Sequence, residues 1–237
     1  PDALNDDITI SGPGWSSILC GVRSDKHLVI DNSFSGSNYN DYPSLFQRIE
    51  DAFSNVNTVS ICHWAPINDY IVVTDADIIE NVGSDNDVRE AAVDQLENAD
   101  PHAMFIHLDE VDYAGHGYGF SPNVPQYMSS IEQADTHVGA VIAALYARPN
   151  YAQEDWIVIV TSDHGGVGYS HGGNSMEERN VSFITSGPSV TPLLVEKTIL
   201  EVNPPPVNCL GGDGTELYFP TNSNVNVLPN EDLNSVV

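Results

Sequence analysis

Positive charge is scarce in this chain: seven of its 237 residues are Lys or Arg against 34 Asp or Glu, a formal net charge of −27. Nucleic acid and anionic membrane surfaces are bound through clustered basic side chains, so both drop out as partners. Cysteine is nearly as sparse. Cys20, Cys62 and Cys209 are too few and too far apart for a disulfide framework, and no CxxC pair is present to build a zinc knuckle. Any bound metal would therefore rest on imidazole and carboxylate. Long apolar runs are missing as well, none approaching the roughly 20 residues of a membrane-spanning helix. No charged, apolar, small-residue leader opens the chain at Pro1, which reads as a processed or truncated start.

What remains is the composition of an ordered domain. Hydrophobic residues make up 41% of the chain and its 15 prolines fall mostly outside the apolar runs, enough for one full-sized domain and a fragment of another. The acidity reads as a solvated surface of the kind salt-adapted or secreted proteins carry. Short, nearly continuous apolar runs at 59–64, 103–109, 156–163 and 181–187 predict strands covered on both faces. Between them, 44–53, 88–99 and 124–146 place apolar residues at helical spacing. The expectation is a three-layer α/β/α sandwich over residues 1–203 with a mostly parallel central sheet, followed by a β-rich tail. In such sheets ligands bind beyond the carboxyl ends of the strands.

Two features stand where chemistry is expected. The stretch SGPGWSSILCGV (11–22) runs from Ser11 into what reads as a buried helix. Ser11 on these residues alone reads first as an N-cap, and second as a hydroxyl in the positive potential of a helix start, where an anion would be stabilised. The strand ends AMFIHLD and WIVIVTSD then lead into EVDYAGHGYG and HGGVGYSHGG. They bring Asp109, Asp112, His116, Asp163, His164 and His171 to the ends of two hydrophobic strands, interleaved with glycines. Each alone is a cap, a turn former or a satisfied core imidazole. Together they suit zinc or a similar divalent ion, whose nitrogen and oxygen ligands lie at about 2.0–2.2 Å.

Taken in order, SGPGWSSILCGV, KHLVIDN, DEVDYAGHGYG, TSDHGG and SHGG resemble the signature segments of the alkaline phosphatase superfamily, most closely the type I phosphodiesterase/nucleotide pyrophosphatase branch. The resemblance implies that Ser11, two residues before Pro13, is a nucleophile toward phosphorus. It implies that Asn32 holds a phosphoryl oxygen, that Asp112, His116 and His171 bind one divalent ion, and that Asp163 and His164 with Ser11 bind a second. Two zinc ions are implied, with manganese or iron as alternatives. Two ions about 3.5–4 Å apart can hold the attacking and leaving oxygens of an in-line displacement, and they explain how so acidic a protein accepts a phosphate ester. The sulfatase branch, with its modified Cys or Ser in a different motif, is a poorer fit.

The chain departs from the family at both ends. The family's first strand ends in an Asp that completes the second metal site, whereas only ten residues precede Ser11 here. Asp2, Asp6 and Asp7 are too close to Ser11 to take that place, so the N-terminal strand reads as missing and the second site as incomplete. At the other end VNPPP (202–206) reads as a stiff linker. Residues 204–237 form a Pro-rich linker and β-rich tail, in which LYFPTNSNVNVLP resembles the opening of a laminin-G-like module. The expectation is a secreted, extracellular or periplasmic hydrolase of phosphodiesters or nucleotides working through a Ser11 covalent intermediate. Its alternative is a catalytically incomplete assembly subunit on the same scaffold, polymerising by strand donation from the tail.

Overall fold

The computed structural model describes residues 2–4 and 7–191. In chain order it contains strand β1 (Asp2–Leu4), helices α1 (Ser11–Cys20), α2 (Ser24–His27) and α3 (Leu45–Ala52), strand β2 (Thr58–Cys62), a π-helical stretch (Ile67–Val72), strand β3 (Ile78–Asn81), helix α4 (Asp85–Asn98), strand β4 (Ala103–His107), helices α5 (Glu110–Tyr118) and α6 (Pro125–Tyr146), a 3₁₀ turn (Tyr151–Gln153), strand β5 (Val158–Thr161), helix α7 (Met176–Arg179) and strand β6 (Asn180–Ser186). The predicted linker and tail, and the boundary at residue 203, lie outside the described residues.

The chain forms two compact units. The larger comprises Leu4–Glu154 and Ser162–Val181. Its sheet runs β3–β2–β4, with both pairings parallel: Val59 faces Ile78 on one side and Met104 on the other. All five residues of the central strand β2 are buried. Successive side chains of a strand point to opposite faces, and the packing follows that period. Cys62, Ala103, Phe105 and Ile79 pack with Trp15 and Leu19 of α1, Phe46 of α3 and Ile67, Ile71 and Val72 of the π-helical stretch. Val59, Ile61, Met104, Ile106 and Ile78 pack with Val88 and Ala92 of α4 and Val141 of α6. The result is the expected α/β/α layering. Ile61 is completely buried in the second of these clusters, so Ile61→Ala should cost about 2–5 kcal/mol.

Local chemistry accounts for two of the boundaries. α4 begins three residues before the predicted start because the Ser84 hydroxyl accepts the Asp87 N–H at 3.1 Å, an N-cap, with Asp85 and Asp87 in the first turn. α1 ends at Gly21, whose φ of +67° is the left-handed cap conformation that glycine adopts freely. β1 and β3 are the strands that periodicity does not reveal, since β1 has three residues and the four of β3, IIEN, carry only two apolar side chains.

The smaller unit contains β5 and most of β1 and β6. Its strands are ordered β1–β6–β5, with β5 and β6 antiparallel and Val158 opposite Ser186. This pairing differs from the parallel ones of the larger unit, and Ile159 and Ile184 are exposed, so β5 and β6 are not covered on both faces, contrary to expectation.

Candidate metal and nucleophile site

Every candidate site residue lies in the larger unit. α5, which follows β4, carries Asp112 and His116 four residues apart on one face, with His116 Nε2 3.4 Å from Asp112 Oδ2. The segment after β5 supplies Asp163 and His164, and the glycine-rich loop beyond it supplies His171. His171 Nε2 lies 3.1 Å from His116 Nε2 and 3.7 Å from Asp112 Oδ1. The His164 and His171 rings stack with centroids 3.8 Å apart. Phe120 packs edge-on against both His116 and His171, at 5.4 and 6.2 Å between centroids. Its ring occupies the space where a Cβ on Gly115 or Gly166 would fall.

The three imidazoles are held in the same way. Nδ1 of His116 meets the Tyr169 carbonyl at 2.9 Å, Nδ1 of His164 the Gly165 carbonyl at 2.9 Å, and Nδ1 of His171 the Thr9 carbonyl at 2.8 Å. A carbonyl oxygen only accepts, so each Nδ1 carries the proton and each Nε2 turns a lone pair into the site. This is how metal-binding histidines are oriented. Two such lone pairs 3.1 Å apart, on His116 and His171, repel unless a cation lies between them. Asp112 Oδ1 is buried without a hydrogen-bond donor. Donor atoms of Asp112, His164 and His171 all fall within 4.8 Å of one another. Burial pushes the Asp163 carboxyl up to about 8. Burial also pulls His164 and His171 below the usual imidazole value, with His164 adding to the effect on His171. These groups fit a divalent cation and are poorly matched to its absence.

The structure revises the role of Ser11 at the helix start. Ser11 is the first residue of α1 and not its cap; the capping position is Ile10, which has no side-chain bond to offer. The Gly12 N–H is instead capped from another segment, by Asn32 Oδ1 at 2.7 Å. Ser11 Oγ is thereby left to face His164 Nε2 at 3.3 Å, and that nitrogen also lies 3.4 Å from Asp163 Oδ2. Both glycines of the SGPG stretch are close-approach positions. A Cβ on Gly12 would lie 2.7 Å from the Asp31 carbonyl oxygen, and one on Gly14 would lie 2.9 Å from Asp163 Cβ. The first turn keeps few donors for an oxyanion, since the Gly12 N–H is engaged, Pro13 has none and the Gly14 N–H closes on the Ile10 carbonyl. With Oδ1 of Asn32 committed, its Nδ2 is the group that can donate to a ligand.

Asp109, grouped with the others by sequence, is tied by its backbone to a second cluster, while its carboxyl, its pKa pushed up mainly by burial, still interacts with Asp112 and His116. Its N–H and that of Glu110 donate to the buried Asp85 carboxylate at 2.8 and 3.1 Å, and His63 Nδ1 adds a third bond at 2.8 Å. Asp85 thus anchors the start of the helix that carries Asp112 and His116. Asp7 is likewise structural: it accepts from the N–H groups of Ser24 (2.7 Å) and Ile8 (2.9 Å). Sequence reasoning passed over Thr9 and Glu178. The Glu178 carboxylate accepts from the N–H groups of Gly173 (2.7 Å) and Ser175 (2.9 Å), bonds that hold its pKa below the usual range. The S-x-x-E pattern at Ser175–Glu178, a capping box, was the available signal for it.

The chain has detectable relatives. Over 82 residues it is 29% identical to the 2,3-bisphosphoglycerate-independent phosphoglycerate mutase of Haloquadratum walsbyi (strain DSM 16790 / HBSQ001), covering 35% of this chain and 14% of that protein. Among solved structures it resembles murine ectonucleotide pyrophosphatase/phosphodiesterase 5, with a TM-score of 0.53 and 21% identity over 69% of this chain and 48% of that one. The same figures hold for the inactive variant of that protein in complex with AMP. The chain therefore spans about half the length of the solved relatives it matches. The sequence pattern of type I phosphodiesterase/nucleotide pyrophosphatase matches residues 43–185, which include Asp112, His116, Asp163, His164 and His171 but not Ser11 or Asn32. By that match, over more than half its length, the chain belongs to the type I phosphodiesterase/nucleotide pyrophosphatase family, within the alkaline phosphatase superfamily.

Proposed function

We propose that this chain is the catalytic part of a divalent-metal-dependent hydrolase of phosphate esters, acting on phosphodiesters or nucleotides through a covalent intermediate on Ser11. The observation that carries the reading is the common orientation of the three histidines, each with Nδ1 spent on a backbone carbonyl and Nε2 turned inward. Asp112, His116 and His171 would hold one ion, and Asp163 and His164, beside Ser11, a second. Nitrogen ligands favour zinc, with manganese or iron compatible. Bound ions would supply the positive charge that lowers the hydroxyl pKa and offsets the charge of the ester.

The chain's own groups do the rest. Ser11 Oγ lies 3.3 Å from His164 Nε2, so the hydroxyl oxygen would also meet a cation held by His164, which favours release of its proton to solvent. Ser11 Oγ attacks phosphorus, the bond to the leaving oxygen breaks, and water later opens the phosphoseryl or nucleotidyl-seryl ester. Asn32 Nδ2 donates to a non-bridging oxygen, its carboxamide fixed by the Gly12 N–H. The AMP complex of the murine relative supports a nucleotide-type ligand, and that protein's description as an ectonucleotide enzyme supports placing this one outside the cell. Among the described residues no helix is long and apolar enough to cross a membrane. The assembly alternative rests on the tail, and no described residue favours it.

The test combines elemental analysis of protein purified without chelator with turnover of an aryl phosphodiester and of its monoester. Bound zinc, a preference for the diester, loss of turnover on chelation and abolition by Ser11→Ala are the expected results. Undiminished turnover by the Ser11→Ala protein would remove that residue from the mechanism.

A further inference from the structure

Thr9 is completely buried and lies two residues before Ser11. Its Oγ1 donates to the Gly173 carbonyl at 2.8 Å and accepts the Gly172 N–H at 3.1 Å, while its own carbonyl accepts His171 Nδ1–H at 2.8 Å. One residue thus grips three consecutive positions of the His171 loop. Valine has the same shape as threonine, so packing alone does not call for the hydroxyl; a buried hydroxyl is tolerated where it is bonded, as this one is on both sides. Gly172, at a φ of +101°, is in a conformation that neighbouring bonds must maintain. Glu178 holds the same loop from its other end through Gly173 and Ser175.

We infer that Thr9 is a positioning residue of the site: its hydroxyl fixes the 171–173 loop so that its carbonyl sets the Nδ1–H tautomer and the inward aim of His171 relative to Ser11. This rests on the metal-hydrolase reading, because an aimed Nε2 matters only if it binds a cation. Removing the hydroxyl frees the loop while leaving every proposed ligand in the chain. Loss of groups that orient metal-binding side chains typically lowers metal affinity 10–100-fold.

The experiment is zinc titration of the full chain against a chromogenic chelator, for the wild type, Thr9→Val and Thr9→Ser. Thr9→Val should weaken zinc binding by about 10–100-fold, and Thr9→Ser, which keeps the hydroxyl, should restore it. Equal affinity in all three would overturn the inference, whereas a wild type that binds no zinc would refute the metal reading itself. Should Thr9→Val fail to fold, the nitrogen-15 NMR signature of His171 in the metal-free wild type decides. Nδ1–H with an unprotonated Nε2 supports the assignment, and the opposite tautomer overturns it.

Discussion

Adding one methyl group at Gly14 sets two effects against each other inside the proposed site. Gly14 lies within the first turns of α1, where glycine is less favourable than alanine by about 1 kcal/mol, so helix propensity alone favours Gly14→Ala. The new Cβ would lie 2.9 Å from Asp163 Cβ and 3.2 Å from the Asp163 carbonyl oxygen. Carbon atoms rest about 3.5–4.0 Å apart, so Asp163 must retreat by more than half an ångström. Overpacking of that kind costs roughly 1–3 kcal/mol. The net loss of stability is therefore about 0–2 kcal/mol, and a domain of this size loses about 2–4 °C of Tm per kcal/mol. The site is far less forgiving, because catalytic groups must be held within about 0.5 Å of the productive geometry, and a displacement of about 1 Å can cost a hundredfold in rate. Gly14→Ala should melt no more than about 8 °C below the wild type and yet turn over an aryl phosphodiester at least about tenfold more slowly. Full turnover with the methyl group in place would refute the placement of Asp163 against the helix that carries Ser11.

Two further predictions concern the scaffold. Burial lowers the pKa of His107 to about 4, against about 6.5 in the unfolded chain, so the folded state favours the neutral ring. Its contribution to stability is present in full above pH 6.5 and is lost as the pH falls toward 4, by up to about 3 kcal/mol. Urea melts at pH 7.5 and 5 should show this loss in the wild type and a shallower one in His107→Gln; equal slopes would refute it. The Arg148 guanidinium, 8% exposed, bonds the Glu154 carboxylate through Nε (3.0 Å) and Nη2 (2.9 Å) and the Leu96 carbonyl through Nη1 (3.1 Å). Arg148→Met leaves those acceptors without it and should cost about 2–4 kcal/mol by denaturant titration. A change below about 0.5 kcal/mol, typical of a surface substitution, would show that the pairing contributes nothing.

The layered α/β architecture and the metal-type residues were legible in the sequence because both depend on local pattern. A strand packed on both faces carries apolar side chains at nearly successive positions, so Val59, Ile61 and Cys62 of one strand and Ala103–Ile106 of the other declare themselves. Asp112 and His116 are four residues apart on one helix, so the spacing alone places them together. His164 and His171 follow their strand within ten residues of glycine-rich chain. Other features had no local signature. β3 has too few residues to show a period and becomes a strand only because β2 offers it a parallel edge. Ser11 could be read as a cap because a serine ahead of a helix usually is one. What frees it is the Asn32 carboxamide, brought by a separate loop to the Gly12 N–H, and sequence cannot state a distance between segments. Asp109 shares a strand end with Asp112, and the buried Asp85 takes its backbone N–H, a bond from a distant segment that no local pattern announces. The sequence by itself determined which groups could bind a cation and which elements would carry them. Only the tertiary structure decided their orientation, because the carbonyls of Thr9, Gly165 and Tyr169 that fix the three imidazoles are backbone atoms, which any residue type supplies and only the fold can aim.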